Sequence, residues 1–548
     1  MLISADIEQK TIGNKPLFAG LKFSIEDREK VAIIGRNGIG KTTLFRMLTG
    51  EDTDFAGNIV ARQGVRIAAT QQEHHGLGEQ NIMQYILGQL PEYTKLKHII
   101  DTYPQTMSDD LHKITTYSEA LERFAQLDYY TVEDRVRRSL DAYQLDGHTK
   151  MASLSGGQKR FVELIVVEHS DTNLALIDEP TNHMDYVAKA AFIEWFKAAQ
   201  HAVVVITHDR DVLHHVTRII EIKDDIAVSF PGNYDDYLRE NAMRTTNRLN
   251  EYETAQRRIA NVKKQIQYAR SKKSSWGGTA DKKNPFVVME TRLLKELAEL
   301  EAQERPSFWI DQESVSSLQP KIGESYHKHK AKTIHIRRLA ADERQRDLVT
   351  LNDVQAGYNK PLFTPLSHRI LTGNRLRIVG RNGVGKTTLI RTILSVADNS
   401  KPRTLLAGTI TTDTKLRINT YEQETGDDLL DMTLAAAIEH LYNLYNAPVT
   451  TEQVMRIMSD YLFDPYADRD QPVRNLSGGQ KARLQLIKMF ANDPNLLILD
   501  EPTNHLDLPS IEELEAALAY YKGALVYISH DSYLAKHLGG EEITLSPL

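Results

Sequence analysis

Short apolar runs recur along the chain. Leu174-Ala175-Leu176-Ile177 and Leu496-Leu497-Ile498-Leu499 read as buried strands, and Lys30-Val31-Ala32-Ile33-Ile34, residues 202–206 and Arg375-Leu376-Arg377-Ile378-Val379 as further β-like runs of an α/β sheet. None approaches the roughly 18 to 20 residues that a membrane-spanning helix needs, so no segment is expected to cross a membrane. Between residues 236 and 345 the pattern changes. Apolar positions at Leu249, Tyr252, Ala255, Ile259, Val262, Ile266 and Ala269 recur at threes and fours, and a second set follows at Met289, Leu293, Leu297 and Leu300. Each set makes one stripe on a helix. Gly277, Gly278 and Pro285 separate the stripes, which predicts an antiparallel hairpin with a tip at about residues 270–285. At 1.5 Å per residue its first helix would reach on the order of 50 Å.

Two stretches flanking this connector repeat one another. Asn14-Lys15-Pro16-Leu17-Phe18 returns as Asn359-Lys360-Pro361-Leu362-Phe363, and Gly35-Arg36-Asn37-Gly38-Ile39-Gly40-Lys41-Thr42-Thr43 as Gly380-Arg381-Asn382-Gly383-Val384-Gly385-Lys386-Thr387-Thr388. In the same order, Leu154-Ser155-Gly156-Gly157-Gln158 pairs with Leu476-Ser477-Gly478-Gly479-Gln480, and Asp178-Glu179-Pro180-Thr181-Asn182-His183 with Asp500-Glu501-Pro502-Thr503-Asn504-His505. A repeat of this size sets the architecture: one domain over residues 1–235, the connector over 236–345, and a second domain over 346–548. The first copy is longer inside. About eighty residues separate Gln72 from Ser155, against just over fifty between Gln423 and Ser477. The surplus, about residues 83–127, carries Leu96, Ile100, Leu111, Ile114, Leu121, Phe124 and Leu127 at helical spacing and is expected to form an inserted arm of short amphipathic helices.

Composition removes several classes of function. At 41% hydrophobic and 26% charged residues the chain is an ordinary globular one, neither disordered nor fibrous. Cysteine is absent, which excludes disulfides, thiolate metal sites and cysteine nucleophiles and is compatible with a reducing cytoplasm. Residues 1–8 lack the basic start and apolar core of a signal peptide. The net charge of -7 means that any affinity for nucleic acid must come from a local basic stretch.

The repeated motifs carry the chemistry of phosphoryl transfer. Gly-x4-Gly-Lys-Thr after a strand and before a helix is a phosphate-binding loop. Its glycines let backbone N–H groups wrap the phosphates, and Lys41 or Lys386 neutralises the β and γ charge. Thr42 and Thr387 can present a hydroxyl to Mg²⁺. The acids at the strand ends fall where open α/β sheets bind ligands. Asp178 and Asp500 suit the metal shell, and Glu179 and Glu501 are placed to polarise an attacking water. His208 and His530, each after a further apolar run, fit sensors of the γ-phosphate.

With Leu-Ser-Gly-Gly-Gln preceding Asp-Glu-Pro-Thr-Asn-His in both copies, the chain resembles the ATP-binding-cassette (ABC) superfamily over roughly four fifths of its length. That resemblance implies that the signature of one cassette caps the nucleotide held by the other. Ser477, Gly478 and Gly479 would then complete the site on Lys41, and Ser155, Gly156 and Gly157 the site on Lys386. It also implies that Gln72 and Gln423 are the glutamines that sense metal and water, and that both sites hydrolyse ATP. Tyr358 can stack on adenine in the second copy, whereas Thr11-Ile12-Gly13 offers no aromatic in the first. Met184 opposite Leu506 is a volume-conserving exchange expected to be silent.

Two cassettes fused by a long charged connector without a spanning segment resemble, within that superfamily, the ABC-F family. This implies a monomer that pairs its cassettes internally and works on the ribosome, with the connector reaching the tRNA exit region and the peptidyl-transferase centre. The connector's charge fits. Between Arg257 and Lys283 stand about nine Lys and Arg against the single acid Asp281, and Lys328, Lys330, Lys332, Arg337 and Arg338 follow. Such a basic patch suits ribosomal RNA and tRNA, and Trp276 could stack on a base. An extended tip loop favours antibiotic resistance by ribosomal protection. The alternatives are a housekeeping translation factor and the ATPase subunit of a membrane transporter, the last leaving the basic hairpin without a purpose.

Overall fold

The computed structural model describes residues 1–548 except 13–14, 71–78, 107–109, 183, 224–225, 274–284, 302–345, 399–403, 422–425, 446 and 505. The chain divides into one unit of Met1–Tyr234 with Ile334–Leu548 and another of Asp235–Thr333.

The first unit contains two copies of one α/β fold. In the N-terminal copy, a six-stranded sheet runs Ile226–Pro231, Arg218–Lys223, Lys30–Gly35, Ala202–Ile206, Leu174–Asp178 and Ile67–Ala69 in spatial order. All neighbours are parallel except the edge pair Ile226–Pro231 with Arg218–Lys223. Every residue of Lys30–Gly35, Leu174–Asp178 and Ala202–Ile206 is buried. Strands covered on both faces cannot alternate polar with apolar, so they appear in the sequence as continuous apolar runs. The C-terminal copy repeats the order with Glu541–Thr544, Arg375–Val379, Ala524–Ile528, Leu496–Asp500 and Ile418–Tyr421. A smaller antiparallel sheet accompanies each, built on Ile3–Ile12 in one copy and Asp347–Ala356 in the other. Ile3–Ile12 alternates buried with half-buried positions at its start, the mark of a one-sided sheet. Its apolar face joins Val31, Ile33, Leu44 and Val204 in one core.

Helices cluster between the last strand of the small sheet and the signature. The C-terminal copy has Leu434–Asn443 and Thr451–Asp460, and the N-terminal copy has Ile82–Gln89, Tyr93–Thr106, Leu111–Gln126 and Val132–Ala142. The pair Tyr93–Thr106 and Leu111–Gln126 is held by rings: Tyr93 lies 5.8 Å from Phe124 and 5.4 Å from Tyr129 between centroids. Leu96 and Phe124 are buried, but Leu111 is 79% and Ile114 38% exposed. Helices Ile82–Gln89, Tyr93–Thr106 and Leu111–Gln126 occupy the stretch about 83–127, with Leu111 and Ile114 outside their packed face. Packing is concentrated on the aromatic cluster, and the opening turn of Leu111–Gln126 carries its apolar residues outside it.

Among the described residues the second unit shows two helices, one running from Tyr234 to Lys273 and one spanning Pro285–Glu301. The 40 residues of the first extend about 60 Å. Proline at the first position of the second helix gives up a donor that would have no intrahelical partner. Val262, Ile266 and Leu293 form a small core with Leu297 against it, and Ile259 and Ala269 are buried on the same stripe. Ion pairs flank the seam, Arg258 with Glu296 at 2.7 Å and Arg270 with Glu290 at 2.8 Å. Met289, counted in the second stripe, is 37% exposed; the seam is completed by Leu293 and Leu297, and Met289 falls outside it. The side chains of Leu249, Tyr252, Ala255 and Leu300 lie outside the described residues, as do Trp276, most of the tip and the basic cluster from Lys328 to Arg338. Among the described residues no helix is long and apolar enough to cross a membrane.

Leu293 is buried in this seam, so its truncation should loosen the hairpin. Leu293→Ala should cost about 2 kcal/mol of local stability. It should speed amide exchange in residues 257–273 and 286–298 while leaving exchange in the two α/β copies unchanged, as read by hydrogen-exchange mass spectrometry.

Candidate active site

Each phosphate loop leaves a sheet strand, Lys30–Gly35 fully buried and Arg375–Val379 alternating buried with half-buried, and turns into a helix through glycines with left-handed backbones. Gly38 and Gly40 have φ of 81° and 97°, and Gly383 and Gly385 have φ of 83° and 101°. At Gly40 a side chain is also sterically barred, because a Cβ there would sit 2.6 Å from Leu17 Cδ2. The helices Lys41–Leu48 and Lys386–Ala397 begin without a side-chain cap, which leaves their first N–H groups for an anion. The Lys41 ammonium folds back onto the carbonyl oxygens of Gly35, 2.7 Å, and Arg36, 3.2 Å. Lys386 does the same on Gly380, 2.7 Å, and Arg381, 3.2 Å. Burial holds both lysines below their ordinary pKa, against the carboxylates of Glu179, Asp507 and Asp178 around Lys41 and of Glu501, Asp185 and Asp500 around Lys386.

The parallel topology brings the other groups to the same sheet edge, at the carboxyl ends of adjacent strands. Thr42 Oγ1 donates to Asp178 Oδ2 at 2.8 Å. Thr42 and Thr387 are exposed, whereas Thr43 is half-buried and Thr388 buried, so the first threonine of each pair has the accessible hydroxyl. Glu179 and Glu501, just past the strands, have φ of 45° and 47°. Non-glycine residues seldom adopt that region, and it concentrates at functional positions. Their N–H groups are fixed to the carbonyl oxygens of Ile206 and Ile528 at 2.8 and 2.9 Å.

Each glutamate faces a histidine. His208 Nε2 lies 3.6 Å from Glu179 Oε1, and His530 Nε2 lies 3.3 Å from Glu501 Oε1. Burial raises both carboxyls, Glu501 to about 7, and lowers both imidazoles, His530 to about 4. Both ring nitrogens of His208 and Nε2 of His530 are buried and make no hydrogen bond among the described residues. Buried polar atoms of this kind call for a partner from outside the chain, and a terminal phosphate fits. Among the described residues no cluster of three or more His, Asp or Glu could hold a metal by itself. The hydroxyl of Thr42 with the carboxylate of Asp178 is a donor set for Mg²⁺, which takes its remaining ligands from phosphate and water.

The two copies meet at these sites. Asn37 N–H, in the first phosphate loop, donates to Asp507 Oδ2 of the other copy at 3.0 Å, and Asn382 N–H donates to Asp185 Oδ2 at 3.0 Å. Each aspartate also caps its own helix, Asp185 through Ala188 N–H at 2.9 Å and Asp507 through Ser510 N–H at 3.0 Å. A Cβ on Gly478 would lie 3.2 Å from Asn37 Cβ, and one on Gly479 would lie 3.1 Å from Arg36 Nη2. The Ser477–Gly479 signature therefore rests on the loop that carries Lys41. A cavity of about 470 Å³ between the copies is lined by Ser155 and Gly156 together with Asn382, Glu501 and His530, and by Asn37, Glu179 and His208. Ser155 and Ser477 are N-caps whose Oγ accepts from Gln158 and Gln480 N–H, each at 3.3 Å.

Some expected residues stand apart. Tyr358 is 63% exposed, on the loop whose next residues, Leu362 and Phe363, pack against Gly385. Ile12 is 57% and Met184 1% exposed. Gln72, Gln423 and Gly13 lie outside the described residues. Sequence reasoning missed Asp185 and Asp507. The signal was their recurrence seven residues after Asp178 and Asp500, which by itself reads as a helix cap.

The raised carboxyls have a consequence for stability. A carboxyl whose folded pKa exceeds its unfolded one binds its proton more tightly when folded, so its contribution is greatest in acid and is lost as pH rises through the folded value. Without nucleotide, Glu501→Gln should leave melting unchanged near pH 5 and raise the melting temperature progressively above that of the parent between about pH 5 and about pH 8. A pH series of thermal melts reads this directly.

Comparison with known proteins agrees with this geometry. The sequence model described as ABC transporter matches residues 18–182 and 363–504, together more than half the chain, and a second model of the same description matches residues 220–308. The chain is 27% identical to the putative ATP-binding protein YdiF of Bacillus subtilis, covering 100% of this chain and 80% of that protein. It is 28% identical to the ATP-binding protein Uup of Escherichia coli, covering 97% and 78%. It is 26% identical to the probable ATP-binding protein YbiT of Escherichia coli O157:H7, covering 100% and 96%. Among solved structures, an RNase-L inhibitor superposes with a TM-score of 0.55 at 14% identity, covering 100% of this chain and 88% of that one. A ribosome-bound archaeal Pelota and ABCE1 assembly gives 0.53 at 15%, covering 100% and 76%. At such identity these structures speak for the tandem fold. Two cassettes in tandem, their paired motifs and these relatives make the chain a member of the ABC-F family of ATP-binding-cassette ATPases.

Proposed function

We propose that this ATPase is a nucleotide-gated clamp that acts on the ribosome in the cytoplasm, its cassettes closing on two ATP molecules and its linker, residues 236–345, contacting ribosomal RNA and tRNA near the peptidyl-transferase centre. The observation that carries the clamp is reciprocal: Asn37 bonds Asp507 and Asn382 bonds Asp185 across the halves. ATP on Lys41 would be enclosed by Ser477, Gly478 and Gly479, and ATP on Lys386 by Ser155, Gly156 and Gly157. A ligand that gains contacts only in the closed form shifts the population toward closure.

In each site the lysine and the loop N–H groups hold the β and γ phosphates. Thr42 with Asp178, and by the repeat Thr387 with Asp500, would hold Mg²⁺, which would supply charge neutralisation for the phosphates. Glu179 and Glu501 orient the attacking water, and His208 and His530 meet the γ-phosphate. Gln72 and Gln423 sense metal and water, and Tyr358 stacks on adenine. Each glutamate faces its histidine in both halves, at 3.6 and 3.3 Å, which supports turnover at both.

The ribosome as partner is supported by the basic residues on the hairpin between Arg257 and Lys273 and by the ribosome-bound setting named for one structural relative. Antibiotic resistance by ribosomal protection and a housekeeping role in translation use the same clamp. Growth with and without the protein across macrolides, lincosamides, streptogramins and phenicols separates them, and drug-specific protection is the outcome expected here.

Glu179→Gln with Glu501→Gln should bind ATP, lower turnover by about 100-fold or more, and accumulate on ribosomes in sucrose gradients containing ATP. A double variant that stays in the ribosome-free fractions would contradict the ribosomal reading. Removing residues 271–283 should spare ATPase turnover and abolish the effect on translation.

A further inference from the structure

We propose that Lys189, Arg210 and Glu515 are positioning residues that couple the two ATP sites through a set of polar contacts linked by capped helices across the interface between the halves. The proposal rests on the composite sites described above and concerns how one informs the other. The path starts at Asn37 N–H in the first phosphate loop, bonded at 3.0 Å to Asp507. Asp507 caps the helix Leu508–Tyr520, which carries Glu515. Glu515 pairs with Arg210 of the other half through two hydrogen bonds of 2.9 and 3.5 Å. Both side chains are buried, at 2% and 7% exposure, and the guanidinium lies 5.2 Å over the Tyr533 ring.

Arg210 stands two residues past His208, and its neighbours carry the path onward. Lys189 Nζ holds Asp209 at 2.9 Å and Asp211 at 2.5 Å. It also donates to the His530 carbonyl oxygen at 3.4 Å, while Asp211 accepts from Ser532 Oγ at 2.7 Å. Lys189 belongs to the helix Tyr186–Ala198, capped by Asp185, and Asp185 accepts the N–H of Asn382 in the second phosphate loop at 3.0 Å. Both phosphate loops and both histidine loops are thereby tied to one set of charges.

The path has no mirror image. In the register that pairs Asp178 with Asp500, Lys189 corresponds to Ile511, Arg210 to Ser532, Asp211 to Tyr533, and Glu515 to Ile193. Pseudo-symmetric sites joined by an unsymmetrical bridge need not respond alike. Arg210 and Glu515 come from opposite halves, so their buried pair forms only when the halves meet. Loss of either partner strands a buried charge. Seating the His208 loop therefore depends on the Asp507 loop being seated, and Lys189 extends that condition to the second site.

The test uses the full chain and follows ATPase turnover against ATP concentration. The parent should show a Hill coefficient above one. Glu515→Gln and Lys189→Met should each lower kcat by about tenfold with KM changed less than about twofold, and each should bring the Hill coefficient toward one. The double variant should be no worse than the poorer single one within about twofold, as members of one path are not additive. Exchanging the pair, Arg210→Glu with Glu515→Arg, should restore most of the turnover and the cooperativity. An unchanged Hill coefficient in the single variants, or effects that multiply in the double one, would overturn the proposal. Should Glu515→Gln fail to fold by thermal melting, Arg210→Lys keeps the charge without the fork. Lowered cooperativity in it supports the path, and parental cooperativity overturns it. Glu179→Gln with Glu501→Gln is the control: continued turnover there overturns the site reading itself, whereas lost turnover there with intact cooperativity in Glu515→Gln overturns only the coupling.

Discussion

A carboxylate in each half accepts a backbone N–H from the phosphate loop of the other half, and the rest of the architecture serves to keep those two bonds in register. A hydrogen bond to a charged acceptor contributes about 1.5 to 3 kcal/mol, too little to hold two large domains together alone. What it does is fix the position of a loop whose donors, in the proposed function, would surround a phosphate. The aspartates can do this because each is also the N-cap of a helix in its own half, so the carboxylate is held from one side before it reaches across.

The parallel sheets supply the second constraint. Strand order places the phosphate loop beside the strand that ends before His208 or His530, with the strand ending at Asp178 or Asp500 next to that. Lysine, acids and histidine then converge at one edge without any long-range design beyond the order itself. The left-handed backbones at Glu179 and Glu501 turn the chain sharply just there and aim each carboxyl at its histidine. Burial raises each carboxyl and lowers each imidazole, so charge is disfavoured on both partners of the pair.

Much of this was legible in the sequence, for identifiable reasons. Strands buried on both faces must be continuously apolar, and Leu174–Asp178 and Leu496–Asp500 were legible on that ground. The glycines of the phosphate loop declared themselves because positions such as Gly40 allow no side chain. Asp185 and Asp507 stayed hidden because a capping aspartate looks the same whether or not its second oxygen reaches another domain. Periodicity also overreached. It identifies the face of a helix but not how far its partner extends, so Leu111, Ile114 and Met289 were assigned to packed stripes and emerge exposed. The Arg210–Glu515 pair joins residues 305 apart in sequence, and no local pattern could have matched them.

Composite sites make a prediction that self-contained cassettes reverse. Lys41→Ala combined with Ser477→Arg damages a single composite site twice, whereas Lys41→Ala combined with Ser155→Arg damages both. Nucleotide trapped per chain after rapid gel filtration in the presence of a slowly hydrolysed ATP analogue should therefore remain near half the parental amount for the first combination and vanish for the second. The opposite assignment, retention with Ser155→Arg and loss with Ser477→Arg, would contradict the account.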